Sequence, residues 1–371
     1  MSHLFSPWKL GSLELENRIV IAPMCQYSAV NGNAQDWHLI HLGNLALSGA
    51  GLLVIEATAV SPEGRITPGD LGLYSDENET ALKRVMDAAT KYAVSPIVVQ
   101  LAHAGRKASS QAPWDGGAQI LPDEPLGWKA VAPSSLPHAP EEDTPLALDD
   151  AGLAKVRSDF AASARRAVAL GFHGIEVHMA HGYLLHQFLS PIANQRTDAY
   201  GGSLENRMRF PLEIFDAIKS AVPENIPVWV RVSATDWVSG GWDIEDTVAL
   251  GSALKDRGCV AIHVSSGGVS PKQKIPMSNG YQVPFAARVK EGVGLPTVAV
   301  GLITEPAHAE AIIEKGDADA IALARGMLYG PRWPWHAAAE LGAEINAPHQ
   351  YCSSQPLESK KLFNNYKIDN C

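Results

Sequence analysis

Short apolar, β-branched runs recur along the chain and alternate with stretches whose apolar positions repeat at helical spacing. The runs stand at 18–24 (RIVIAPM), 52–58 (LLVIEAT), 96–103 (PIVVQLAH) and 174–180 (GIEVHMA). Four more follow at 228–234 (VWVRVSA), 261–267 (AIHVSSG), 296–301 (PTVAVG) and 320–325 (AIALAR). Apolar through most of their length, they read as strands buried on both faces, the pattern of a parallel sheet. Helical patterns fill 149–170, 203–222, 244–257 and 306–315, among others. Gly171, Gly258 and Gly316 stand where a helix must stop before the next strand. Eight strand–helix units predict an α/β fold, a single (β/α)8 TIM barrel. The alternative, an open doubly wound sheet, lacks its signal: no G-x-G-x-x-G opens a helix after the first strand.

Three segments fall outside the repeat. Residues 4–15 read as a short hairpin capping the N-terminal end of the barrel. Residues 104–148 are long, rich in Pro and Gly, and carry tryptophans. They follow the third strand on the active face of a barrel, so they are expected to form a lid over the pocket. Beyond Pro348 the chain turns polar. The division expected is therefore a barrel over 1–350 and a C-terminal segment over 351–371, partly loose from about Ser359 to Cys371.

Composition narrows the partners. The length of 371 residues suits one barrel of about 250 residues plus insertions. A formal charge of -10 disfavours nucleic acid and anionic membrane as partners, yet leaves room for a phosphorylated cofactor held by a few local donors. No apolar run is long enough to span a bilayer, and Met1-Ser2-His3-Leu4-Phe5 has neither a basic n-region nor an h-region. The four cysteines, Cys25, Cys259, Cys352 and Cys371, are spaced too widely for a zinc or iron–sulfur signature. A reducing cytoplasm is the expected location.

Barrel chemistry gathers where the strands end. The first strand ends in Pro23-Met24-Cys25-Gln26-Tyr27 and the second in Glu56-Ala57-Thr58. The third carries Gln100 and His103, and the fourth His178, His181 and Tyr183. Each residue has a bland reading: a packing cysteine, a satisfied histidine, a Gln or Arg paired with a neighbouring acid. Together they are harder to dismiss. Arg231 lies in a run that must be buried, and a buried Arg needs an anionic or strongly accepting partner. His178, His181 and Tyr183 place three donors within six residues of one strand end. Strands seven and eight end at Gly301 and Arg325, where barrels often bind phosphate; Gly301 permits close backbone approach and Arg325 offers a bidentate guanidinium.

Four stretches carry a resemblance. They are Ala22-Pro23-Met24-Cys25-Gln26-Tyr27, residues 100–107 (QLAHAGRK), residues 176–184 (EVHMAHGYL) and residues 196–207 (RTDAYGGSLENR). In this order they resemble the old yellow enzyme family, in its bacterial, xenobiotic-reductase-like branch with a cysteine after the first strand. The likeness runs from about Leu4 to about Tyr351.

The resemblance implies FMN held non-covalently at the top of the barrel by Ala22, Pro23, Met24, Cys25, Ala57, Gln100, Arg231, Ala324 and Arg325. Gly301 and Arg325 would hold the phosphate, Gln100 would meet the ring edge, and Cys25 would tune the flavin without a covalent bond. Arg231 would stabilise the charge of the reduced ring. It also implies NADPH as reductant and a ping-pong reduction of α,β-unsaturated carbonyls. His178 and His181 would bind the carbonyl oxygen, Tyr183 would protonate the α-carbon, and Tyr27 would line the substrate side. A homo-oligomer, dimer or tetramer, is the expected assembly. The chain departs from some relatives at Ala299-Val300-Gly301-Leu302, where they carry a tryptophan, and at Tyr351-Cys352-Ser353-Ser354, where they carry an aromatic residue or an arginine.

Other readings make their own demands. A dienoyl-CoA-type reductase needs clustered cysteines and a second nucleotide domain. A metal-dependent hydrolase built on His178 and His181 needs further ligands, for which Glu56 and His103 are the candidates. A Schiff-base aldolase needs a lysine inside a late strand, and the eight runs hold none. A non-catalytic flavin carrier would have little use for two histidines and Tyr183 together.

Overall fold

The computed structural model describes residues 2–359 and 361–364. Eight parallel strands close on themselves: β1 (Ile19–Ile21), β2 (Leu52–Ala59), β3 (Ile97–Ala102), β4 (Ile175–Met179), β5 (Val228–Ser233), β6 (Ile262–Ser265), β7 (Thr297–Ala299) and β8 (Ala320–Leu323). Closure is made by β8 against β1, with Ile321 opposite Ile19 and Leu323 opposite Ile21. Helices between the strands cover the outside, as the alternating pattern requires. In the helix Asp150–Ala169, Leu153, Val156, Phe160, Ala164 and Ala167 recur at three- and four-residue spacing and are buried.

Capping explains where the helices begin. The Asp149 carboxylate accepts from the Gly152 amide at 2.8 Å, and Ser203 accepts from the Asn206 amide at 3.3 Å. Gly316 ends the helix Pro306–Lys315 in the left-handed region, at φ 78°, where only glycine sits without strain.

The N-terminal hairpin pairs Trp8–Leu10 with Leu13–Leu15 in antiparallel register. Its turn at Gly11 lies so close to the base of the barrel that a Cβ there would stand 2.9 Å from Pro227 Cβ, just before β5. Leu4, Leu10 and Leu15 are buried in this stopper. At the opposite face, residues 104–148 form an irregular segment. Its regular pieces are two short turns and a parallel pair, Val131–Ala132 with Leu146–Ala147.

The inside of the barrel is not apolar, although its strands read that way. Alternate residues of β4, β5 and β6 are Glu176 and His178, Trp229 and Arg231, His263 and Ser265, and all are buried. Ladder register sets Ala57, Gln100, Glu176 and Trp229 side by side on one rung. His178, Arg231 and His263 share the rung nearer the active face. Period two inside each run carried this polarity, diluted by the apolar residues that face the helices.

At the C-terminus, Leu362 and Phe363 are buried with Ala338, Ile345 and Ala347. Ile345 N–H donates to the Leu362 carbonyl at 2.8 Å. These two apolar side chains thus dock on that cluster. Of the expected loose tail, residue 360 and residues 365–371 with Cys371 lie outside the described residues. Among the described residues no helix is long and apolar enough to cross a membrane.

Candidate active site

Glu176 is the hub of the lower rung. Its Oε2 accepts from Gln100 Nε2 at 2.6 Å, and its Oε1 accepts from Trp229 Nε1 at 2.9 Å and lies 2.9 Å from His263 Nδ1. Burial alone would raise its pKa, but His263, Arg231 and Trp229 outweigh burial and hold the carboxyl down at about 2. The contact also fixes Gln100. With its amide N–H committed downward, its carbonyl oxygen is the end left for a ligand.

Arg231 stands above, buried, with no hydrogen-bond partner for its Nε among the described residues. A desolvated guanidinium without an acceptor is costly, so the site wants an anionic or accepting group there. This orphaned donor and the oxygen of Gln100 form a complementary edge that suits the ring of a flavin.

The sequence-predicted donors do meet. The rings of His178 and His181 are 5.1 Å apart, and those of His178 and Tyr183 are 5.0 Å apart, both edge to face. His178 Nδ1 accepts from the Ala180 amide at 3.1 Å, which puts its proton on Nε2. His181 Nε2 lies 2.7 Å from Ser265 Oγ. Burial first, then the Arg231 charge, holds both imidazoles well below their ordinary value, so both are neutral at pH 7. Tyr183 is pushed the other way, well above 10, by burial and then by Cys25 and Tyr27. It is a weaker acid than a phenol in water.

The turn bearing His181 is strained. His181 takes φ 59°, which costs about 1–3 kcal/mol for a residue with a Cβ. Gly182 follows at φ 73°, and a Cβ on it would stand 2.1 Å from the Gly268 carbonyl oxygen. The loops after β4 and β6 thus touch backbone to backbone. Lys107 clamps them, donating to His181 O at 2.9 Å and Gly268 O at 3.1 Å, with its ammonium 5.0 Å from the centre of the Tyr183 ring. Burial, then Arg106, lowers it to about 8. Sequence reading passed over Lys107, since its partners are backbone carbonyls supplied by distant loops.

Cys25 is half-buried beyond β1. Desolvation and then the Asp70 and Glu56 carboxylates raise it well above 9, so it is a thiol. Its loop is tied down: Gln26 N–H donates to Glu56 Oε2 at 3.0 Å, and Ala22 N–H donates to Leu323 O at 2.9 Å. Tyr27 meets Trp114 of the 104–148 segment edge to face at 5.5 Å. Across the mouth, a cavity of about 180 Å³ is lined by Arg231, Tyr281, Gly301, Ala324 and Arg325. Arg325 is exposed there with no ion-pair partner among the described residues. Glu56 and His103 do not join the histidines: Glu56 turns to His38 at 3.4 Å, and His103 Nδ1 accepts from the Gly105 amide. Among the described residues no three His, Cys, Asp or Glu side chains are placed to hold a metal.

The sequence profile of the NADH:flavin oxidoreductase / NADH oxidase family matches residues 3–344. The chain belongs to that family. An NADPH dehydrogenase of Geobacillus thermodenitrificans is 41% identical over 350 residues, covering 94% of this chain and 97% of that protein. One from Listeria innocua is 43% identical over 353 residues, covering 95% and 98%. Among solved structures, morphinone reductase superposes with a TM-score of 0.76 at 29% identity, covering 99% of this chain and 98% of that one. A 2-naphthoyl-CoA reductase shares the barrel alone, with a TM-score of 0.81 at 24% identity over 52% of its length. The family is the old yellow enzyme family, and this chain is an FMN-dependent oxidoreductase of it.

Proposed function

We propose that the chain is an NADPH-fed ene-reductase acting on α,β-unsaturated carbonyl compounds and similarly activated alkenes. When bound, FMN would supply the two-electron chemistry that carries hydride from NADPH to the β-carbon of the alkene. Ala22, Pro23, Met24, Cys25 and Ala57 form the bed for its ring, and Gln100 and Arg231 its polar edge. Gly301, Ala324 and Arg325 line the cavity of phosphate size. The orphaned Arg231 guanidinium speaks for a ring that becomes anionic.

His178 Nε2–H and His181 Nδ1 have no partner among the described residues. Ser265 Oγ lies 2.7 Å from His181 Nε2 and 3.3 Å from Gln282 Oε1; in the tautomer whose Nε2 accepts the Ser265 proton, both neutral imidazoles present one free N–H. Two such donors hold a carbonyl oxygen on which negative charge grows as the β-carbon gains hydride. Tyr183, protonated and one ring away, gives its proton to the α-carbon and is reprotonated from water. Tyr27 and Trp114 bound the substrate side, and the 104–148 segment acts as a lid. A cytoplasmic homo-oligomer completes the proposal.

The observation that carries it is the set of rings His181 and Tyr183, packed 5.1 Å and 5.0 Å from His178, within reach of the Arg231 charge. The test is the visible spectrum of the purified protein, first as isolated, then with NADPH under argon, then with cyclohexenone. Bleaching by NADPH and recovery with the enone are expected. A bleached flavin that the enone leaves reduced would sink the reading.

A further inference from the structure

A second buried polar constellation lies behind the donor rings and touches none of the proposed substrate or cofactor positions. His186, on the short helix Leu184–Leu189, and Asp236, beyond β5, are both fully buried, and His186 Nε2 lies 2.9 Å from Asp236 Oδ1. Two neutral donors share the other carboxylate oxygen: Ser190 Oγ at 2.6 Å and the Trp242 amide at 2.8 Å. The opposite nitrogen of the imidazole is turned back onto the chain. His186 Nδ1 accepts the amide N–H of Gly182 at 2.8 Å.

An Nδ1 that accepts must be unprotonated. The ring proton is therefore on Nε2, 2.9 Å from the carboxylate, whose negative charge favours a proton on that side of the ring. Gln187 grips the following peptide unit of the same residue, donating from Nε2 to the Gly182 carbonyl at 2.7 Å. Ser233 Oγ accepts from His181 N–H at 2.9 Å, and Lys107 holds His181 O. Every backbone polar group of the left-handed pair His181-Gly182 is thus claimed. A conformation disfavoured for His181 persists only where its surroundings over-determine it.

We propose that Asp236 and His186 are positioning residues: the carboxylate fixes the His186 tautomer, and that imidazole fixes the turn presenting His181 and Tyr183 to the substrate. The claim rests on the ene-reductase reading above. The dyad touches no reacting atom. It sets where two donors stand, and a displacement of about 1 Å at such groups costs up to a hundredfold in rate.

The test uses the holoenzyme, para-chlorophenol as a probe of the donor pair, and two substitutions. His186→Ala removes the acceptor for Gly182 N–H. His186→Asn restores one, because the Asn carboxamide oxygen occupies the place of Nδ1 along the side chain. His186→Ala is expected to keep its FMN, to weaken phenol binding by about tenfold or more, and to slow flavin reoxidation by cyclohexenone to a similar degree. Amide exchange in the peptide holding Gly182 should quicken by about tenfold or more. His186→Asn should recover most of the affinity and protection.

Wild-type affinity and reoxidation in His186→Ala would overturn the proposal. So would equal defects in the Ala and Asn variants, since they would mark a purely structural role. If the Ala variant does not fold, Asp236→Asn serves instead: with its oxygen kept by the Ser190 hydroxyl and the Trp242 amide it turns an NH2 to His186 Nε2, which drives the ring proton to Nδ1 and must weaken phenol binding while FMN content holds, and unchanged binding overturns the claim. A wild-type protein that neither binds the phenol nor reduces the enone would topple the ene-reductase reading first, and this one with it. Wild type that does both beside an unaffected variant removes the positioning claim alone.

Discussion

Tyr183 sits among groups that keep its proton on. Burial, then Cys25 and Tyr27, raise it far enough that it stays a phenol throughout the physiological range. Such a group yields its proton only to a strongly basic carbon generated beside it. Tyr183→Phe is expected to retain FMN and its reduction by NADPH but to slow reoxidation by enone by roughly tenfold or more; stopped-flow absorbance on each half-reaction separates the two. Equal reoxidation rates would take Tyr183 out of the chemistry. Two other buried groups set opposite slopes in the pH dependence of stability. His103 is lowered to about 4, chiefly by burial, so the unfolded chain takes up its proton first and stability falls as pH drops from about 6.5 to 4. Asp70 is raised to about 7 by burial, despite donors from Thr67 and Ile66, so the folded chain holds its proton longer and stability falls as pH rises from about 4 to 7. Asp70→Asn removes the second slope. Its unfolding free energy should climb more steeply than wild type between pH 4 and 7, by a difference of up to about 1.4 kcal/mol per pH unit, and its melting temperature with it. Parallel pH–melting curves would refute this. The residue types at the strand ends were legible from the sequence, because buried strands have few reasons to carry Arg231, His178 or Gln100. Which atom each presents was not. The tautomer of His178 and the flip of Gln100 come from the Ala180 amide and from Glu176, facts of three-dimensional placement.

Among the elements, helices announced their limits better than strands. The Asp149 and Ser203 caps and Gly316 fall within a residue of where the pattern set them, since capping is a local hydrogen-bond requirement. The first strand reads as 18–24 but pairs only over Ile19–Ile21. Residues 22–25 run on past the last paired residue at the active face, with Ala22 N–H still bonded to Leu323 O of β8, and periodicity cannot mark where pairing stops. The contact between the β4 and β6 loops was equally hidden, because it depends on Gly182 and Gly268 meeting across 86 positions of chain. Gly182→Ala would drive a Cβ to 2.1 Å from the Gly268 oxygen. The loops must then part, and the cost should be about 2 kcal/mol or more by thermal denaturation, with phenol binding impaired and FMN retained. A variant of wild-type stability would mean that the loops can separate freely.

At the scale of the molecule, Glu176 joins β3, β4, β5 and β6 through one carboxylate. A buried anion is stable only with its full set of donors, and those donors lose their acceptor when it goes. Glu176→Ala should lower stability by about 3–5 kcal/mol in chemical denaturation and leave Arg231 as an unbalanced buried charge. A loss below about 1 kcal/mol would show that the lumen tolerates the vacancy through other donors or water. Above this layer is the chemistry; below it the Gly11 hairpin stops the base against Pro227. The stopper gives the chamber a one-way architecture of traffic. On the proposed function, reductant and alkene would come and go past Tyr27 and Trp114, each queuing for the space the other has just left. Departure times would then set the throughput, and loop changes at that doorway would retune turnover without altering a single bond-making group.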